Sequence, residues 1–253
     1  MVNIVINPKY KQLEDFVRNL PDTFDHTGET VYDGRNTIKV FDIQGLEVNV
    51  KSFKKPNIIN QVVYATFRQS KARRSFEYAL RLEEKGFRTP APIAYIEQGK
   101  AGLFKNSFYI SINEHIDGEL RELKTGTFVD NEELLRQFAH YTAHLHEAQV
   151  LHLDYSSGNI LYKIVEGKYI FYLVDLNRME FDKPISMDTA CFNFRRLWGS
   201  DEMIRLFVQQ YAESRNFDVA SCLSRTFYYR KRFWSNFKRK HPGASPYEAN
   251  GVL

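Results

Sequence analysis

The sequence predicts an α+β chain in two parts, a sheet-rich first half carrying one helix and a mostly helical second half. Three observations carry that prediction. Residues 29–53 alternate apolar and polar positions, with turn signals at Asp33-Gly34 and Gln44-Gly45, as antiparallel hairpins do. The stretch QSKARRSFEYALRLEEKGF and residues 131–149 carry apolar side chains at helical spacing. In the second half, only ILYKIV and YIFYLVDL read as strands.

Taken in order, residues 9–19 form a short helix, stopped by Pro21. ETVYDGRNTIKVFDIQGLEVNVKSF supplies three strands joined by hairpins. The next helix is closed by Gly86 and then Thr-Pro-Ala-Pro. Strands around 93–97 and 107–114 complete a five-stranded sheet with one inserted helix. After His115-Ile116-Asp117-Gly118 the pattern changes, so the expected domains are 1–115 and 116–253, with a hinge near 113–118 and a cleft between them. In the second domain Leu134, Leu135, Phe138, Thr142 and Leu145 mark a helix. The loop HLDYSSGN follows, then two short strands and mostly helix to the end.

With 253 residues the chain can bury a core without disulfide or metal staples. Its 43% hydrophobic and 26% charged residues exclude disordered and collagen-like classes. No apolar run approaches the roughly 20 residues a membrane helix needs. The start, MVNIVINPKYKQLED, lacks a basic segment followed by an apolar block, so no signal peptide is expected. Cys191 and Cys222 give neither a disulfide framework nor a zinc pattern, which suits a cytoplasmic protein. Net charge is +4, yet residues 225–241 (RTFYYRKRFWSNFKRKH) hold seven Lys/Arg and no acid, leaving the rest at −3. Phe227, Tyr228, Tyr229, Phe233, Trp234 and Phe237 interleave with those charges. The pattern suits an anionic lipid surface, would also fit nucleic acid, and equally suits a final amphipathic helix with its aromatic side in the core.

The chemistry gathers in His152-Leu153-Asp154-Tyr155-Ser156-Ser157-Gly158-Asn159, an H-x-D with an Asn five residues beyond the acid. Asp175 ends the apolar run FYLVDLN, 21 residues after Asp154. A strand pair would return Asp175 to the loop. Carboxylate and amide oxygens so placed suit Mg²⁺ with phosphate oxygens, and Asp154 remains to accept a proton from an attacking hydroxyl. This is the phosphoryl-transfer layout of the kinase fold. That layout needs a strand lysine and a helix glutamate from the first half. Lys51 ends Val48-Asn49-Val50-Lys51, with Lys39, Lys54 and Lys55 as alternatives. Glu77 lies beside Phe76 and Leu80, with Glu83 and Glu84 as alternatives.

The sequence resembles the bacterial lipopolysaccharide kinases of the Kdo-kinase family over roughly residues 30 to 200. The resemblance rests on YDGRNTIKVF, VNVKSFKKP, SKARRSFEYALRLEEKGFRTPAPIAYIE, LHEAQVLHLDYSSGNILY, FYLVDLNRM and FNFRRLWGS. It implies a two-lobed protein-kinase-like fold: an N-lobe of antiparallel sheet with one helix, and a mostly helical C-lobe. It implies ATP- and Mg²⁺-dependent transfer to a sugar hydroxyl, with Kdo of a lipid A core as the preferred acceptor. By residue it implies Lys51 on the phosphates, Glu77 orienting it, Asp154 as base, and Asn159 and Asp175 on the metal; Gly34 stands in the nucleotide hairpin. The setting expected from the cysteines and the basic tail is the cytoplasm, with 225–241 as a hypothesis for peripheral docking on the inner membrane, and no nucleic-acid partner is expected.

Several departures separate the chain from regulated protein kinases. The hairpin has Gly34 but no G-x-G-x-x-G, D-F-G reads Asp175-Leu176-Asn177, Asn49 stands where a small alanine is usual, Ser156 replaces a lysine, and no A-P-E follows. Two other functions fit the same loop: a kinase of a soluble aminoglycoside or choline-like molecule, and a non-catalytic pseudokinase that binds nucleotide. His140, His144, His146 and His152 lack H-E-x-x-H and a fourth ligand, so zinc is not expected and His152 is read as holding the loop. Arg195 and Arg196 suit either an oxyanion or a structural salt bridge.

Overall fold

In a computed structural model of the chain, residues 2–53, 69–100 and 103–240 are described. Lys54, Lys55 and His241 lie outside them. The chain divides into two units, residues 1–115 and 116–253.

The first unit is a six-stranded antiparallel sheet in the order β1-β5-β6-β4-β3-β2. Its strands are β1 (Val2–Ile6), β2 (Glu29–Asp33), β3 (Asn36–Ile43), β4 (Leu46–Phe53), β5 (Pro92–Lys100) and β6 (Leu103–Ile112). The sixth strand, β1, is the one the alternation misses. It is an edge strand paired only with β5, Ile4 opposite Ile96, and its mostly exposed side chains leave little hydrophobic pattern. The β3–β4 turn is Gln44-Gly45, both at positive φ (56° and 77°). That is the two-residue turn whose twist matches antiparallel strands.

Pleating divides the residues of β4 between two faces. Val48 and Val50 join Ile96, Phe108 and Ile110 against Leu13, Val17 and Leu20 at helix α1 (Glu14–Thr23). Phe53 instead meets Tyr95, Ala72 and Phe76, the last two from helix α2 (Lys71–Glu84). Pro21 does not stop α1 but sits inside it. The lost backbone hydrogen bond is offset by Leu20 and Phe24, both buried on the sheet. The end of α1 is closed from β3: the buried Lys39 ammonium donates to the carbonyls of Phe24 (2.6 Å) and Thr27 (3.0 Å). A cation on the last carbonyls of a helix is a favourable cap, so Lys39 has a structural task.

Helix α2 begins where the Ser70 hydroxyl accepts from Arg73 N–H. It ends in paired bonds, Phe87 N–H to Leu82 C=O and Gly86 N–H to Glu83 C=O, with Gly86 at φ 82°.

The second unit contains β7 (Gly118–Glu119), α3 (Phe128–Glu147), β8 (Val150–His152), β9 (Ile160–Val165), β10 (Lys168–Leu173) and β11 (Met179–Phe181), then α4 (Met187–Asn193), α5 (Asp201–Ser214) and α6 (Val219–Lys240). Its strands form a three-stranded sheet, β10-β9-β7, and a pair, β11-β8. Helix α3 packs on α5, and α6 on both α4 and α5. The core is aromatic: Phe138 stacks on Phe207 at 5.0 Å and on Tyr155 at 5.9 Å, and Phe194 meets Tyr211 edge-on at 4.8 Å.

His146 is part of that core, stacked on Phe194 and sharing a 2.9 Å hydrogen bond with the Tyr211 hydroxyl. Burial, and then the charge of Arg215, lower its pKa to about 3. The unfolded chain therefore binds this proton near pH 6.5 while the folded chain refuses it, so stability falls as pH drops below 6.5. By pH 5 the loss from this group is about 2 kcal/mol, expected as several degrees in Tm. Thermal melts between pH 8 and 5 check this; His146→Phe should flatten the slope.

The basic segment 225–240 is the outer part of α6. It is amphipathic, with Cys222, Thr226, Arg230 and Trp234 buried one turn apart. Arg230 is thus not surface charge: its guanidinium donates to the Leu197 carbonyl inside the unit. Arg225, Lys231, Arg232, Lys238, Arg239 and Lys240 are exposed. Among the described residues no helix is long and apolar enough to cross a membrane.

Candidate active site

The loop between β8 and β9 is held by its own polar atoms. Buried His152 accepts the Asp154 N–H on Nδ1 (3.1 Å). That leaves the proton on Nε2, which donates to the Val174 carbonyl (3.0 Å). Burial lowers the His152 pKa, so the ring stays neutral and this tautomer persists. The Asn159 amide donates to the Asp154 carbonyl (2.9 Å), and Val174 N–H donates to the Asn159 carbonyl (3.0 Å). Both polar backbone atoms of Val174 are therefore bonded to the loop, and Asp175 is the next residue. Tyr155 anchors the loop in the core, buried with its hydroxyl 2.9 Å from that of Thr142.

Asp175 does not end the strand as the sequence pattern suggests. Strand β10 stops at Leu173, and Asp175 sits two residues on at φ 58°. Aspartate tolerates this left-handed conformation better than most residues. Its Oδ1 accepts from Asn177 Nδ2 at 2.7 Å. The Asp154 carboxylate is paired with the Arg196 guanidinium, both groups part-buried. Arg195 takes another course, lying 3.7 Å over the Phe192 ring and donating to the Phe192 carbonyl.

Three supports of the loop have no local sequence signal. Asn193 Nδ2 donates to the His152 carbonyl (3.0 Å), and the Ser157 hydroxyl accepts from Trp198 N–H (2.8 Å). Arg121 lies over Gly158 so closely that a Cβ there would stand 2.3 Å from Nη2. FNFRRLWGS holds Asn193, Arg196 and Trp198 together, and only the third dimension carries them to a loop some 40 residues earlier.

Beside the loop is a cavity of about 320 Å³ within this unit. Ser156, Gly158 and Asn159 line it on the loop side. Phe233, Trp234 and Phe237 of α6 contribute aromatic surface.

In the first unit Lys51 lies on the α2 face of β4, its ammonium 5.4 Å from the Phe53 ring centroid. Across the strands it stands in one row with Tyr109 and Tyr95. Glu77 receives Arg73 Nε at 2.7 Å, one turn back along α2. Asn49 donates to Asn113 Oδ1 at 3.4 Å. Gly34 opens the β2–β3 turn, its N–H donating to the Asn36 carbonyl, with the Tyr32 ring over its Cα.

The side-chain oxygens of Asn159 and Asp175 are hard donors, and the Asn159 amide nitrogen is spent on the Asp154 carbonyl, so Oδ1 is the Asn159 atom with the chemistry to ligate a cation. This donor chemistry fits Mg²⁺. Among the described residues no three His, Cys, Asp or Glu side chains gather as a metal site of their own. His146 and His140 are engaged by Tyr211 and Ser214.

Residues 41–214 match the model of a family described as the lipopolysaccharide kinase (Kdo/WaaP) family. Among solved structures the chain is similar to one described as WaaP in complex with acyl carrier protein, with 17% identity and a TM-score of 0.63 over 92% of this chain and 99% of that one. It is also similar to the Rio2 kinase–ADP/Mg²⁺–phosphoaspartate complex from Chaetomium thermophilum, with 12% identity and a TM-score of 0.49, covering 94% of this chain and 82% of that one. None of the curated proteins compared matches. The fold is therefore kinase-like, a mixed α/β architecture with an antiparallel sheet.

Proposed function

This chain belongs to the lipopolysaccharide kinase (Kdo/WaaP) family, and from that premise we propose that it transfers the γ-phosphoryl group of ATP to a hydroxyl of an inner-core sugar, Kdo by preference. Family membership supports a phosphotransferase. The observation that carries the finer reading is the double bonding of Val174 to the Asp154 loop, which keeps the Asp175 segment against the residues proposed for catalysis. In the reaction Asp154 accepts the acceptor hydroxyl's proton as its oxygen bonds to phosphorus, the bond from phosphorus to the β-bridging oxygen breaks, and ADP leaves. Asn159 and Asp175 would hold Mg²⁺, which supplies charge neutralisation on the phosphates. Lys51 is assigned to the α- and β-phosphates, Glu77 to its orientation and Gly34 to the nucleotide hairpin.

The exposed basic residues of α6 support docking on an anionic inner-membrane surface. Deleting 225–253 would also remove the buried Arg230 and Trp234, so docking is better tested by assay conditions. Mass spectrometry of lipopolysaccharide core from cells carrying the wild-type chain or Asp154→Ala should show one phosphate lost in the variant. Retained phosphate would overturn the reading. ATP consumption should require the Kdo-bearing lipid and not aminoglycosides or choline, and should run faster on anionic than on neutral vesicles. Equal rates on both would remove the docking surface alone.

A further inference from the structure

The two edges of the first unit's sheet are β2 and β1, and they are built differently. Strand β2 carries Glu29 and Asp33 at its ends and a break in register between Thr30 and Tyr32. Charge and a bulge are devices that keep an exposed edge from pairing with another chain. Strand β1 has neither. Val2-Asn3-Ile4-Val5-Ile6 holds no charge and no proline, and it pairs with β5 in unbroken register. All of its residues but Asn3 are β-branched, which suits a strand. Val2 and Val5 are 54% and 37% exposed, an unusual amount for large apolar side chains. The outward backbone groups of β1 follow from one bond. Asn7 N–H donates to the Ile93 carbonyl (2.8 Å), one step beyond the Ile6–Ala94 pair. Hydrogen-bonded pairs alternate along an antiparallel ladder. Asn3 and Val5 therefore turn their N–H and C=O groups to β5, and Val2, Ile4 and Ile6 turn theirs away from it. Among the described residues no backbone hydrogen bond reaches that outer side.

We propose that β1 is the interface between two copies of this chain, paired antiparallel about a two-fold axis at Ile4, so that two six-stranded sheets join edge to edge. The outward pattern points to a second copy as the occupant, because it reads the same in both directions. Ile4 meets Ile4 of the partner subunit, Val2 meets Ile6 of the partner subunit, and Asn3 meets Val5 of the partner subunit. Each outward N–H and C=O then finds its complement, giving about six backbone hydrogen bonds in opposed pairs. Val2, Ile4 and Ile6 share one face of the pleat. Their contacts extend the apolar row that Ile4 and Ile6 already pack on the core. No like charges face each other across the axis. Such reciprocal contacts are what a two-fold dimer requires. The strand offers 5 residues a side, well short of the roughly 20–30 of a standard interface. The association is therefore weak and reversible, with a Kd of about 10–100 μM. It is independent of the chemistry proposed above.

Sedimentation equilibrium of the full chain from about 1 to about 500 μM should show monomer passing to dimer. Val5→Lys changes an exposed side chain on the face away from Ile4 and Ile6. It brings two ammonium groups to diagonal positions across the axis and should weaken the dimer by about 10-fold or more. Ile4→Pro removes an outward N–H, leaves the bonds to β5 in place and should weaken it likewise. Cross-linking checks the register. Residues opposed across the axis stand about 5.5 Å apart at Cα, within reach of a disulfide. Ile4→Cys should therefore give a covalent dimer with oxidised glutathione, and Val31→Cys on β2 should not. Cys191 and Cys222 are buried and do not compete. A chain that stays monomeric at about 500 μM, its edge left to a strand of some other protein, would overturn the proposal. So would a dimer that Val5→Lys and Ile4→Pro leave intact, or cross-linking through Val31→Cys in place of Ile4→Cys.

Discussion

Asp154→Asn should lower kcat by about 10²- to 10⁴-fold, the range a positioned general base supplies, with the KM for ATP within a few-fold of wild type. The substitution is nearly isosteric, and the contacts that shape the loop do not use this carboxylate. His152 accepts the backbone N–H of Asp154, while Asn159 Nδ2 and Ser156 N–H donate to its backbone carbonyl. What is lost is a proton acceptor and the anionic partner of Arg196. Circular dichroism and nucleotide binding should therefore be preserved while turnover collapses. Unchanged turnover would show that the proton leaves by another route.

Asp175→Asn is expected to cut kcat/KM by about 10³-fold, the scale on which removal of one electrostatic stabiliser is felt, and to raise the Mg²⁺ concentration needed for half-maximal rate. Asparagine suits this test because it also tolerates φ near 58° and its Oδ1 can still accept from Asn177. Charge is removed with little else. Asp175→Ala would add a backbone penalty of about 1–2 kcal/mol. A Mg²⁺ titration identical to wild type would dissociate Asp175 from the metal.

Much of the molecule is legible along the chain because it is local. Hairpins with Gly at the turn, helices marked by apolar spacing and the spacing of Asp154 to Asn159 all rest on neighbours within a few residues, whereas the 131–149 pattern misses the first turn that Thr127 caps. What escapes is settled at a distance. Strand β1 exists because β5, some 90 residues on, offers an unpaired edge. Pro21 is tolerated within α1 because sheet burial outweighs one hydrogen bond. Arg230 looks like surface charge until the Leu197 carbonyl is brought to it. The cations over the loop are similar: Arg121 and Lys124 lie in GELRELK, which the sequence pattern does not single out, and only tertiary contact sets them beside Gly158 and Trp198. Glu77 has a partner in Arg73 at i−4 that amphipathic spacing alone does not single out.

The two bonds on Val174 bear on control as well as on geometry. In many switchable phosphotransferases the metal-holding acid can swing away, and a following glycine permits it. Here the preceding peptide is fastened on both sides, and Leu176-Asn177 replaces that glycine. Swinging the Asp175 segment away from the loop would break both bonds at once, so such a movement carries a cost here that the local backbone alone does not set.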